Sequence, residues 1–124
     1  MNNRAPLGGC PDSPNCVSTE AKDRRSHIEP IRLTGNPDRL WPQVVKIVAA
    51  LPRSVMAETA ADYLRAEFKS RWFGFIDDLE IRLNRKDSTL SLRSASRTGY
   101  YDFGVNRQRI ELLRTALQRK KLAH

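Results

Sequence analysis

Between Arg93 and Arg109 the chain reads RSASRTGYYDFGVNRQR, seventeen residues crowded with groups able to grip an anion. Four arginines supply planar forks of donors that match phosphate or carboxylate. Three hydroxyl side chains, the adjacent Tyr100 and Tyr101, Asp102 and Asn106 add further polar contacts. Gly99 and Gly104 allow backbone conformations closed to other residues. A helix capped by Asn106, with Arg107 in its first turn and a strand ending at Arg97 before it, is a candidate anion site, because free helix amides favour negative charge. The ligand residues expected here are Arg93, Arg97, Tyr100, Asp102, Asn106 and Arg107. An internal alternative stands beside this one, in which Asp102 pairs with Arg97 or Arg107 and the whole constellation fastens loop to helix.

Two carboxylates upstream complete the list. Asp77 and Asp78 lie in the run from Phe75 to Asn84, where Phe75, Asp77, Leu79, Ile81 and Leu83 alternate with Ile76, Asp78, Glu80 and Arg82. Alternation assigns Asp77 to the core, and a buried carboxylate must be paired or hydrogen-bonded. Ser96, backbone amides or an arginine would satisfy it. Otherwise it is a cleft carboxylate of raised pKa, available as a general base.

These residues need a scaffold. His27 to Thr34 is a candidate first strand, placed at an edge by Pro30. Asn36-Pro37 is a helix start, Leu40, Val44, Ile47, Val48 and Leu51 follow at helical spacing, and Pro52 ends the run. Strands are expected at Ser54 to Thr59, Asp62 to Ser70, Phe75 to Asn84 and Thr89 to Arg97. The last two form a hairpin over Arg85 to Ser88, in a register that pairs Leu83 with Leu90, Leu79 with Ser94 and Asp77 with Ser96. Its wet face sets Glu80 opposite Arg93 and Asp78 between Arg93 and Arg97. A final helix places Ile110, Leu113 and Leu117 on one face. The expected fold is therefore α+β, a single antiparallel sheet with two helices packed on one face. Positions 1–25 read as an irregular arm, and positions 26–124 as the domain.

A chain of 124 residues suits one domain, and no run reaches the ~18 apolar residues that span a bilayer. Its 22 basic and 14 acidic residues leave a formal charge of +8. From Val105 onward six basic residues face Glu111 alone, so five of those eight charges lie on the last helix and tail. Such a field draws nucleic acid, an anionic membrane surface or an acidic partner. Leu7-Gly8-Gly9-Cys10 has the form of a lipoprotein cleavage box but no apolar segment precedes it, so a cytoplasmic location is expected. Cys10 and Cys16, six apart around Pro11 and Pro14, are compatible with a disulfide, half of a metal site or a thiol nucleophile. In a reducing cytoplasm they are expected to remain free, as a structural loop. With only His27 and His124 to add, no zinc site, other metal or cofactor is expected.

Taken in order, CPDSPNCVS at 10–18, FIDD at 75–78 and RSASRTGYYDFGVNRQRIE at 93–111 resemble the bacterial and plant family known as domain of unknown function 1499. The resemblance covers nearly the whole chain and implies a fold unit and a site, but no activity. It also implies relatives that are exported or lipoprotein-like, in which the cysteine pair could bridge.

Three functions compete. The leading one is a binding or scaffold module whose arginine-rich groove holds an anionic small ligand or an acidic protein partner. The second is an enzyme using Asp77, Asp78 or a cysteine, against which stands the absence of a Ser-His-Asp order, a metal-binding run or a phosphate loop. The third is weak nucleic-acid binding by the basic C-terminal helix. Its aromatics Trp72, Phe73, Tyr100 and Tyr101 are not interleaved with the basic residues, so nucleic acid is not expected as a partner.

Overall fold

A computed structural model describes residues 7–70, 74–99 and 101–124. Its elements are β1 (Cys16–Ser18), β2 (Ile31–Arg32), α1 (Pro37–Ala49), β3 (Ser54–Thr59), β4 (Tyr63–Lys69), β5 (Ile76–Asn84), β6 (Thr89–Ser96) and α2 (Val105–Arg119). All strands join one antiparallel sheet in the order β1-β6-β5-β4-β3, with β2 also paired to β6. The β5–β6 register sets Asp77 opposite Ser96, Glu80 opposite Arg93 and Leu83 opposite Leu90, as the alternation requires.

One sheet face is apolar and carries both helices. Leu64, Leu79, Ile81, Leu83, Leu90 and Leu92 from the sheet meet Val44 and Val48 of α1 and Ile110, Leu113 and Leu117 of α2 in one core. Each such side chain contributes about 1.5–3 kcal/mol on burial, whereas an exposed ion pair contributes about 0–1 kcal/mol. The apolar face therefore holds the fold together. Asn36 starts α1 as its sequence suggests, accepting the amides of Asp38 and Arg39 at 2.9 and 3.4 Å.

The structure departs from the sequence reading in four places. The first strand shrinks from His27–Thr34 to Ile31–Arg32, because Pro30 has no amide to donate and the amide of Thr34 bonds Leu122 instead of a strand. Cys16–Ser18, within the stretch read as irregular, pairs with Arg93 to Ala95, a strand too short to show alternation. Phe75 is not in the inner series: it precedes β5 and is 52% exposed, its amide donating to Ser70 Oγ at 2.9 Å. Asn106 does not cap α2. That helix begins two residues earlier than such a cap would set it, at Val105 after Gly104 in a left-handed conformation with φ of 78°, which moves Asn106 to the buried face.

Candidate functional site

The inner face of the sheet ends in polar residues where β5 and β6 run out beneath α2. Asn106 is fully buried there. It accepts from Ser94 Oγ at 2.7 Å and donates to Ser96 Oγ at 3.0 Å, the Asn15 carbonyl at 3.1 Å and Asp102 at 2.9 Å. Arg109, one turn further along α2, donates to Asn106 at 2.7 Å and Ser94 at 3.1 Å, and its Nη2 meets Asp77 Oδ2 at 2.8 Å. The ring of Phe68 lies 4.6 Å below the guanidinium. Asp77 is thus satisfied by an arginine, one of the partners expected for it. The partner itself is the residue the sequence reading left out of the site. Its position three residues after Asn106, beside the apolar stripe of α2, was the available signal.

This ion pair forms part of the wall of an open cleft of about 320 Å³. Leu51, Pro52 and Arg53 border it from the turn after α1, and Phe68, Lys69 and Ser70 from the end of β4. Val105, Gln108, Arg109 and Leu112 close it from α2. Three cationic residues, Arg53, Lys69 and Arg109, surround one carboxylate between apolar walls. No side-chain hydrogen bond or ion pair engages Arg53, Lys69 or Gln108 among the described residues. Neither Arg53 nor Lys69 stands out in the sequence, because the turn and the strand end that bring them together are 16 positions apart.

The remaining expected site residues lie elsewhere. Arg93, in β6, and Arg97, just past its end, are on the opposite, outer face of the sheet. Arg97 donates to both oxygens of Asp78 at 2.7 and 2.9 Å and to Glu67 at 2.9 Å, and Arg65 meets the same two carboxylates at 3.0 Å each. Arg97, with Arg65 beside it, holds the Asp78 carboxyl below its ordinary value against the opposing effect of partial burial. Arg65 and then Arg97 do the same for Glu67. Arg93 donates to the Gly9 carbonyl at 3.0 Å and lies 3.8 Å from Glu80, which accepts the Tyr63 hydroxyl at 2.6 Å. Burial and that carboxylate push the Tyr63 hydroxyl pKa up. Arg82 reaches Glu20 at 3.0 Å. This ladder holds four arginines and four carboxylates, so the positive surplus of the chain does not come from it.

Arg107 donates to the carbonyls of Arg25 and His27 at 2.9 and 3.0 Å. Asp102 accepts the amides of Gly104 and Asn106 at 2.8 and 3.2 Å, the capping role expected of Asn106. Tyr100, Trp72 and Phe73 lie outside the described residues.

Cys10 and Cys16 form a disulfide with 5.7 Å between Cα atoms, correcting the expectation of free thiols. The short proline-containing loop brings the two residues within bridging distance, and no thiol remains to act as a nucleophile. Among the described residues no group of three or more His, Cys, Asp or Glu could hold a metal. No helix there is long and apolar enough to cross a membrane.

An antiparallel sheet with one face under two helices, the other under a charged ladder, and a cationic cleft at one end define a small α+β domain. The chain belongs to the family described as Protein of unknown function (DUF1499), whose profile matches residues 6–117. No curated protein and no solved structure matches it.

Proposed function

We propose that the domain is a binding module for a small organic anion, seated in the cleft between the turn after α1, the end of β4 and α2. One observation carries this reading: Arg53, Lys69 and Arg109 border the cleft against the single carboxylate of Asp77, between walls formed by Leu51, Phe68, Val105 and Leu112. Positive surroundings select the charge of the ligand. Apolar walls select its body, as in most small-molecule sites. Of the ligand residues expected from the sequence, Asp77 belongs to this cleft. Arg93, Arg97 and Arg107 engage internal carboxylates and carbonyls and serve the fold. The disulfide favours an oxidising compartment over the cytoplasm as the place of action.

A thermal-shift series of carboxylates of increasing alkyl length, with phosphate and acetate as small references, tests this. Ligand that binds only the folded state at a hundred times its Kd raises stability by about 2.7 kcal/mol. The expected result is a melting temperature that climbs with chain length, and a response lost in Arg53→Ala/Lys69→Ala while the unliganded melting temperature stays put. A flat series, or an undiminished response in the double variant, would refute the assignment.

A further inference from the structure

We propose that the ridge leading into α2, carrying Tyr101 and Phe103, docks the domain on an anionic lipid surface. Phe103 is 81% exposed and Tyr101 61%, and their rings meet edge to face at 4.9 Å. The backbone is held in a costly form to display them: Phe103 has a φ of 55°, a left-handed conformation that bulky residues avoid, immediately before Gly104 at 78°. Asp102 keeps the loop in that form from beneath, through the amides of Gly104 and Asn106 and the Asn106 side chain. An aromatic pair exposed at the expense of backbone strain is poorly explained by folding alone.

Charge surrounds the ridge on both sides. Tyr101, Asp102 and Gly104 border a polar pocket of about 150 Å³ together with Arg25 and Arg107. Val105, two residues beyond Phe103, borders the cleft that holds Arg53, Lys69 and Arg109. Three carboxylates temper this field, Asp12 and Asp23 bordering a small pocket with the largely exposed Arg25, Asp23 at 3.6 Å from it, and Asp77 at 2.8 Å from Arg109, while Asp102 faces backbone amides. Cations still predominate around an apolar knob. A stable protein interface needs about 800 Å² from each partner and a shaped pocket for its anchor. A ridge two side chains wide offers little of either. A lipid surface demands no matching shape: aromatic rings enter the interfacial layer while arginine and lysine meet its anionic headgroups.

Co-sedimentation of the full chain with vesicles of phosphatidylcholine alone, and with about one third phosphatidylglycerol, tests the proposal, since surface attraction scales with anionic lipid content. The expected result is pelleting with the anionic vesicles that weakens as salt rises. Phe103→Gly should weaken it about tenfold or more, since a lost buried aromatic costs that much affinity. The same variant should melt at the same temperature as the parent or higher, because glycine relieves the left-handed strain. No pelleting, or equal pelleting of Phe103→Gly, would overturn the proposal. So would Phe103-dependent, saturable binding to polyglutamate in the absence of vesicle binding, which would assign the ridge to an acidic protein. The substituted residue is outside the ligand cleft, so an anion response in the thermal-shift series stands or falls independently.

Discussion

At Asp77 a carboxylate meets the Arg109 guanidinium at 2.8 Å with both side chains only 12% exposed, and the surrounding hydrogen bonds decide what that pair is worth. Arg109 holds Asn106, Ser94 and Asp77 at once, so its loss strands several polar atoms beside a buried charge. Breaking one side of such a pair costs about 3–5 kcal/mol, while replacing both sides by apolar groups is often neutral or stabilising. Arg109→Leu is therefore expected to lower unfolding free energy by about 3 kcal/mol in urea titration. Adding Asp77→Leu should recover much of that loss. If the double variant is as unstable as the single one, the carboxylate is not what Arg109 supports, and the Asn106 network is. The outer-face pairs differ in kind, being more exposed and shared among Arg65, Glu67, Asp78 and Arg97, and each is expected to matter less.

At the scale of the element, α2 owes its start to a loop and not to a capping side chain of its own. Asp102 accepts two backbone amides that a helix leaves open, and Asn106, displaced from the cap, ties α2 to β6 and to the arm through Asn15. Asp102→Ala should cost about 1 kcal/mol, the usual value of a lost N-terminal cap. Hydrogen exchange is the sharper readout. The amides of Gly104 and Asn106 should lose protection while those around Leu113 and Leu117 keep theirs, since the latter sit in the core. Uniform loss along α2 would mean that the loop supports the whole helix.

Across the whole molecule, the segment before β1 is part of the fold. Ser18 donates to the Gly8 carbonyl at 2.6 Å, Arg93 to Gly9, and Asn15 to the Gly99 carbonyl at 2.8 Å, so the arm crosses the outer face and the β6 end of the sheet. The Cys10–Cys16 disulfide closes a loop with a sequence separation of 6, and a loop so short stabilises by about 2 kcal/mol in the chain-entropy account. Reduction, or Cys10→Ser/Cys16→Ser, should therefore lower the melting temperature by several degrees without unfolding the domain, because pairing of β1 with β6 remains. Complete unfolding on reduction would show that the arm, and not the helix-covered core, limits stability.

What the residues determined by themselves was whatever depends on neighbours along the chain. Alternation in β5 and β6 set which side chains face the helices and, with the turn at Arg85 to Ser88, the pairing of Glu80 with Arg93 and of Asp77 with Ser96. The family that the sequence resembles is the one whose profile matches residues 6–117. Phe75 was misplaced because alternation alone does not say where a strand begins, and Asn106 because Asp102 and a left-handed Gly104 shifted the helix start by two residues. Only the tertiary structure decided which charges meet. Arg93 and Arg97 share a stretch with Asn106 and Arg107, yet β6 and the turn into α2 put the two pairs in different surroundings. Arg53, Lys69 and Arg109 come from three distant segments and border one cleft because the end of the sheet, the turn after α1 and α2 converge there. Side-chain facing is a local, period-two property of a strand, whereas the partner of a charge is set by whichever distant element the buried core draws over it.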